Sequence, residues 1–471
     1  MAFNSAIFLF GFLPISVLGN LAIKEKYRNL WLVLCSLFFY AWTQPQFLWL
    51  LLTVVAVDYV SGILMERGKA SKLILFLSVL GNLAGLLYFK YFDFLIGLVA
   101  RFGHRNLQLL HLLLPMGISF YTFKGISYLA DVYMKRTPAE KNLLNFTAYM
   151  VLFPQILSGP IDSYGKLAPA LRDRKLSADQ FSEGAKRFIL GLSQKMLFAN
   201  TLGVIVDDLW ECGAGSLSWE CAWLGSIAYS LQIYFDFAGY TGMAIGVGKM
   251  LGFEFSENFD YPYLSKSITE FWRRWHITLG EWFKKYVYIP LGGNRGSALR
   301  VYLNLGIVFL LTGIWHGAAL TFIFWGLFHG FFRLLEKFLK DRKLRLPLPS
   351  PVISFLQHVY CLFVLNIGWV FFRAPGFQIA LSYLKAMLGR MSLAPCGVSV
   401  WEYLDRWNGC ILLLAILFAT PLPKNLVRKL GQKLDPRVCI IAKDLFFLLL
   451  LLLSATEVVT GTYQTFIYFQ F

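Results

Sequence analysis

Charge is scarce in this sequence. Asp, Glu, Lys and Arg make up only 15% of its 471 residues, against about a quarter in soluble domains, which excludes a disordered segment and an ordinary soluble globule. The short motifs of common soluble enzymes are also missing. There is no G-x-S-x-G elbow, no H-E-x-x-H helix and no P-loop, so serine-hydrolase, zinc-protease and NTPase readings find no footing. The seven cysteines include no C-x-x-C pair and no zinc pattern, and no bound metal is expected. Cys212 and Cys221 can pair in an exterior loop, whereas an odd count of mostly buried thiols reads as packing. Internal repeats and low-complexity tracts are absent as well.

What fills the chain is apolar: 57% of residues are hydrophobic and 17% aromatic. They come in runs of membrane-spanning length with Gly and Pro spread among them. The expected fold class is therefore an all-α polytopic membrane protein, one membrane domain over 1–471. A net charge of +17 would raise nucleic acid as a partner of a soluble protein. Here Lys and Arg gather in short loops, as cytoplasmic segments require, so the lipid bilayer and no nucleic acid is the expected partner.

Loop parity then gives a topology. The first span, about Ala6 to Ala22, has no basic residue before it and is followed by Lys24, Lys26 and Arg28. The N-terminus is expected outside, and the span is not a cleavable signal peptide. The next two spans are joined by the uncharged Thr43-Gln44-Pro45-Gln46, and the third ends at Arg67, Lys69 and Lys72. Downstream, the cluster Lys337, Lys340, Arg342, Lys343, Arg345 and the run from Lys424 to Arg437 flank two spans. Between them lies an exterior stretch from about Ala374 to Asn408, and parity leaves the C-terminus outside.

Three regions follow. Residues 1–102 read as N-terminal spans, with Asp58 and Lys90 as the main charges in apolar surroundings. From 113 to 337 a core with broken or re-entrant helices is expected, because Pro115, Gly117, Gly125, Pro154, Gly159 and Pro160 interrupt apolar sequence, and such breaks survive at membrane depth only when buried in protein or lining a wet cavity. Residues 338–471 return to plain spans. Within Tyr229 to Met250, helical spacing puts Gln232, Asp236 and Tyr240 on one face and makes Ala238, Gly242 and Gly246 a ridge of small residues suited to packing another helix. A carboxylate among spans marks either a functional position or a paired one that organises the fold, and both readings of Asp236 stand at this point.

The segment from Glu270 to Tyr286 reads as one amphipathic interfacial helix. With Trp272 at 0°, Trp275, Leu279, Trp282, Phe283 and Tyr286 fall between about 280° and 20°, and Glu270, Arg273, Arg274, Glu281, Lys284 and Lys285 between about 100° and 220°. His276, at about 40°, sits at the edge of the apolar stripe. Farther on, His316 lies between Trp315 and Gly317 in apolar sequence, and His329 thirteen residues later would face elsewhere on a continuous helix, at about 220°.

Six ordered motifs carry a resemblance: Leu114-Pro-Met-Gly-Ile-Ser-Phe-Tyr-Thr-Phe123, Phe153-Pro-Gln155 with Gly159-Pro160, Tyr229-Ser-Leu-Gln-Ile-Tyr-Phe-Asp-Phe237, Phe271-Trp-Arg-Arg-Trp-His276, Tyr288-Ile-Pro-Leu-Gly-Gly293 and Trp315-His-Gly317. Together they resemble the membrane-bound O-acyltransferase superfamily. Within it they look most like the bacterial branch of the alginate O-acetyltransferase membrane subunit, its peptidoglycan and cellulose acetylation relatives, and the teichoic-acid D-alanylation membrane protein. The resemblance runs over nearly the whole chain, including the ending Phe466 to Phe471. It implies a ring of roughly 11–13 transmembrane and re-entrant helices around a central catalytic chamber, approached by the acyl donor from the cytoplasm and opening outward through a funnel. It implies His316 as the catalytic histidine and His276 as the second family histidine of the same chamber. Asp236, Gln232, Tyr240, Trp275, Trp315, Arg273 and Arg274 are the expected chamber-lining or substrate-binding residues. Gly242 and Ala319 depart from the alginate pattern, which tends to carry Asp and Asn there.

The activity implied is transfer of an acyl group, foremost acetyl, from acetyl-CoA or another acyl thioester, including one on an acyl carrier protein, to a hydroxyl of an extracytoplasmic polysaccharide or cell-wall glycan. No bound cofactor is implied. A thioester is already activated, so the chemistry asks mainly for a base near neutrality, which histidine supplies. His316 is expected as the base, with His276 orienting the acyl group or polarising its carbonyl; spacing leaves the reverse open. The cations of the interfacial segment suit either a coenzyme A phosphate or anionic lipid. An exported or membrane-anchored SGNH-type serine transferase is the expected partner, and the bacterial inner membrane the expected location. D-alanyl transfer to teichoic acid, a transporter and a non-catalytic scaffold are the competing readings.

Overall fold

The computed structural model describes all residues except 69, 104–106, 344–347, 391–395, 462, 464–466 and 468–471, and only the backbone of Phe102. Lys69, Arg345, the loop around Ser392 and the Phe466–Phe471 tail apart from Ile467 lie outside the described residues. Among the described residues there are many helices and no strand, only one isolated antiparallel bridge between Phe259 and Trp275.

Among the described residues six helical stretches are long and apolar enough to cross a bilayer: Pro45–Glu66, Ser71–Arg101, Ala178–Glu211, Ala298–His316, Ser350–Arg373 and Pro436–Thr460. Arg406–Phe418 and Leu422–Gly431, bent by 76°, make a seventh if taken as one broken span. The protein is thus an all-α, multi-pass membrane protein. The run at the N-terminus is a shorter apolar helix, Ile7–Ala22. Span ends are set by local chemistry: the Ser297 and Asp435 side chains accept the Arg300 and Arg437 amides at the starts of two spans, the kind of cap that contributes about 1 kcal/mol.

The chain divides into two compact units. The first comprises residues 1–189 and 240–257. In it the interrupted stretch after Leu113 folds into short helices whose backbone groups find side-chain partners. Gly117 takes a left-handed conformation (φ 72°) before the helix Ile118–Tyr133, and the Gln44 amide holds the turn, donating to the Leu114 carbonyl at 3.1 Å and accepting from the Met116 amide at 2.7 Å. Buried charge is likewise paired. Asn82 donates to Asp58 at 2.8 Å. Lys124 Nζ donates to the Tyr149 carbonyl at 2.5 Å and to Gln155 Oε1 at 3.1 Å.

The second unit comprises residues 190–239 and 258–471. Its framework includes α1 (Trp219–Met250, shared with the first unit), α2 (Ile268–Arg274), α3 (Ile277–Phe283), α4 (Ala298–His316), α5 (Leu320–Asp341) and α6 (Ser350–Arg373). Helices α4 and α5 form a tight hairpin at two glycines. A Cβ on Gly326 would stand 2.5 Å from the Phe309 carbonyl oxygen, and one on Gly313 the same distance from that of Phe322, so larger residues would force the helices apart. The core around them is aromatic: Trp275, Trp325 and Trp369 are each 1% exposed.

The ridge on α1 packs helices as expected, but at a shifted register. In the second unit Gly239 meets the Gly191 carbonyl, where a Cβ would lie at 2.7 Å; in the first, Gly246 meets that of Gly184, at 2.6 Å. The two contacts are seven residues apart on each helix, two turns, so close approach repeats on one stripe.

Candidate active site

The expected single helix from Glu270 to Tyr286 is broken at its centre, and that break builds the site. Ser267 caps α2 by accepting the Glu270 amide at 3.0 Å. Helix α2 ends at Arg274, Trp275 is extended, and His276 adopts a left-handed conformation with φ 46°. Periodicity cannot reveal this break, because the apolar stripe continues through it: Trp275, Leu279, Trp282 and Phe283 are all buried. What overrides the helix is pairing with the segment upstream. The Asp260 amide donates to the Arg274 carbonyl and the Ile277 amide to the Asn258 carbonyl, each at 3.0 Å.

Asn258, fully buried, also fixes the histidine. Its Oδ1 accepts the Thr278 amide at 3.1 Å, the Thr278 hydroxyl at 2.8 Å and lies 3.3 Å from His276 Nδ1. An amide oxygen can only accept, so His276 Nδ1 carries the proton and Nε2 carries the lone pair. Burial pushes the imidazole pKa well below its usual value, which keeps the ring neutral. Nε2 has no hydrogen-bond partner among the described residues. Phe237 meets the ring edge-on at 4.7 Å.

His316 is the last residue of α4 and 3% exposed. Its ring packs against Trp315, Trp325 and Phe372 at 5.0, 4.9 and 5.3 Å. The Trp315 indole also touches His276, at 5.9 Å, so one side chain contacts both histidines. The continuous-helix reading of His329 does not hold: α4 stops at His316 and α5 turns back, so His329 packs on Trp325, at 5.1 Å, as His316 does. It is fully buried, with neither ring nitrogen hydrogen-bonded among the described residues.

A cleft of about 1940 Å³ opens within the second unit, and His276 lines it together with Trp272, Thr312 and Tyr360. Lys266, Arg273, Lys284, Arg333, Lys337 and Lys340 also line it, against three acids, Glu281, Glu336 and Asp341. Two acids are already committed. Asp341 pairs with Lys337 at 2.9 Å, and Glu336 accepts the Ile268 and Thr269 amides at 2.6 and 2.9 Å and the Thr269 hydroxyl at 2.6 Å. Glu336 thus satisfies orphan amides at the start of α2. The cleft is left strongly cationic, beside a neutral histidine with an available lone pair.

The other expected residues go to different places. Arg273 lines the cleft, whereas Arg274 pairs with Glu270 at 3.0 Å and Asp260 at 3.3 Å. Trp275 sits in the aromatic core, 4.9 Å from Trp369. Asp236 is held by Lys195 at 2.5 Å and by the Ile467 amide at 2.8 Å. Gln232 donates to the Tyr463 hydroxyl at 3.0 Å, which donates to Asp207 at 3.0 Å. Tyr240 lies in the first unit, stacked on Phe3 at 4.9 Å. The shared face of Gln232, Asp236 and Tyr240 therefore serves three separate neighbourhoods. Sequence reasoning missed Asn258, Thr312 and Glu336. The first and last act through contacts 18 and 68 residues away in the chain, for which one sequence carries no local signal. Among the described residues no group of His, Cys, Asp and Glu is arranged to hold a metal.

Residues 135–382 match the family described as MBOAT, membrane-bound O-acyltransferase family. The chain is 42% identical to the probable alginate O-acetylase AlgI of Pseudomonas aeruginosa, over 82% of this chain and 75% of that protein. Against the peptidoglycan O-acetyltransferase of Helicobacter pylori the identity is 35%, over 89% and 86%. With the teichoic acid D-alanyltransferase of Bacillus subtilis it is 29%, over 59% and 72%.

Proposed function

Because this chain belongs to the membrane-bound O-acyltransferase family and is an O-acyltransferase, we propose that it moves an acyl group, foremost acetyl, from a thioester on the cytoplasmic face across the membrane for O-acylation of an extracytoplasmic polysaccharide or cell-wall glycan. The observation that carries this reading is the cationic cleft that reaches His276. Lys337 and Lys340, which loop parity assigns to the cytoplasm, are among its lining residues. The cleft suits the phosphates and long arm of coenzyme A or of a carrier-bound pantetheine, with the thioester near the histidines. Relatives named for acetyl transfer align over more of the chain than the D-alanyl one, which favours acetyl.

In the reaction, His316 takes the proton of the acceptor hydroxyl, and the freed oxygen attacks the thioester carbon. The C–O bond forms, the C–S bond breaks, and the proton passes to the departing thiolate. The tautomer of His276 favours an orienting role over a polarising one. Its Nε2 accepts an N–H from the donor arm and cannot donate to the acyl carbonyl while neutral. Trp315 keeps the two rings in a fixed relation. Residues 113–337 are assigned as the catalytic core of a single membrane domain, between N-terminal (1–102) and C-terminal (338–471) spans, in the bacterial inner membrane with the N-terminus outside. An SGNH-type serine transferase, exported or membrane-anchored, completes the transfer to the polymer.

The test is steady-state acyl transfer by purified protein from labelled acetyl-CoA, comparing wild type with Lys284→Glu and Arg333→Glu. A rise of about tenfold in donor KM with kcat nearly kept is expected, as for loss of binding felt equally by ground and transition states. Unchanged donor KM in both variants would remove the cleft from the pathway.

A further inference from the structure

Three of the seven cysteines, Cys212, Cys221 and the far downstream Cys396, lie at one corner of the second unit. Cys212 closes the C-terminus of the helix Asn200–Glu211, and the Cys396 side chain neighbours its thiol. The two backbones are tied by a short relay. The Cys396 amide donates to the Ser216 carbonyl at 3.1 Å, and the Ser216 hydroxyl donates to the Cys212 carbonyl at 2.5 Å. The third thiol, Cys221, is buried and donates to the Val398 carbonyl at 3.7 Å, whereas Cys212 and Cys396 are both half-buried. The partner of Cys212 is therefore Cys396, 184 residues away, and not the neighbour in its own loop.

We propose that Cys212 and Cys396 form a disulfide that fastens residues 396–403 to the turn after Glu211. The proposal rests on the exterior placement of the stretch Ala374 to Asn408 given above, since disulfides persist in oxidising compartments. The step uses a disulfide oxidant, R–S–S–R. The Cys212 thiolate attacks one of its sulfurs and releases RS⁻. The Cys396 thiolate then attacks the Cys212 sulfur of the mixed disulfide and releases the second RS⁻. Two electrons pass from the cysteines to the oxidant, and the two protons go to the leaving thiolates. Cys221, with its thiol turned to the Val398 carbonyl, stays reduced.

The test begins with cells quenched in excess N-ethylmaleimide under denaturing conditions, followed by reduction and treatment with a polyethylene-glycol maleimide. Wild type is expected to gain two tags only after reduction, and peptide mass spectrometry to find Cys212 joined to Cys396. Cys212→Ser and Cys396→Ser each lose both tags, and Cys221→Ser keeps them. Blocking of all seven thiols before reduction, or two tags surviving in Cys396→Ser, overturns the pairing. A second arm separates the pairing from the topology. Purified, reduced protein is titrated with oxidised glutathione, and a Cys212–Cys396 link without added glutathione adducts is expected. If the link forms in vitro but cells yield only reduced thiols that a membrane-impermeant maleimide cannot reach, the exterior placement and with it the in vivo disulfide are wrong. If no link forms in vitro, the pairing itself fails.

Discussion

Replacing Asn258 with Ala removes the acceptor that holds His276, without touching either histidine. Its Oδ1 serves three donors, the His276 ring, the Thr278 amide and the Thr278 hydroxyl. A buried hydrogen bond contributes about 1 kcal/mol net, so losing three costs about 3 kcal/mol of stability. The bond to His276 alone, at about 1–1.5 kcal/mol, corresponds to roughly a tenfold bias for the tautomer and ring position that leave Nε2 as acceptor. Asn258→Ala is therefore expected to lower kcat/KM about tenfold for the folded fraction and to lower the thermal inactivation midpoint. Asn258→Asp keeps an acceptor at the same place but buries a carboxylate beside the ring, so it is expected to lower the inactivation midpoint as well. Fluorescence-detected size exclusion after graded heating reports the stability, and labelled acetyl transfer per folded molecule reports the activity. Folded Asn258→Ala with kcat/KM within twofold of wild type would refute the claim that this amide positions the histidine.

Further outcomes follow from other contacts. Glu336→Ala leaves the first amides of α2 unsatisfied and should cut activity and stability together, while Glu336→Gln, which can still accept through one oxygen, should recover part of both. Lys195→Met strands a buried carboxylate and is expected to cost about 3–5 kcal/mol, whereas the double variant with Asp236→Leu should recover much of the folded yield; equal yields of single and double variants would show the pair to be uncoupled. For topology, a cysteine introduced at Thr43 should react with an impermeant maleimide in intact cells and one at Arg342 only after permeabilisation.

Much of this was legible in the sequence, and the reasons differ by feature. Long apolar runs and basic loops report a membrane protein directly, because the bilayer imposes length and charge rules on every span. The Gly and Pro interruptions after Leu113 foretold the short helices found there. The break at His276 was hidden because a stripe of period 3.6 persists when two short helices bury the same side. Lys195 as the partner of Asp236, Asn258 as the anchor of His276 and the return of α5 past His316 are long-range contacts. Each depends on packing of segments that local periodicity does not encode.

The central claim is that His316 is the base in acyl transfer, and the most direct measurement is the rate of acetyl transfer from labelled acetyl-CoA by purified His316→Ala protein. A general base contributes about 10²–10⁴-fold in rate. The account predicts a loss in that range per folded molecule with donor KM little changed. Transfer within a few-fold of wild type would contradict it.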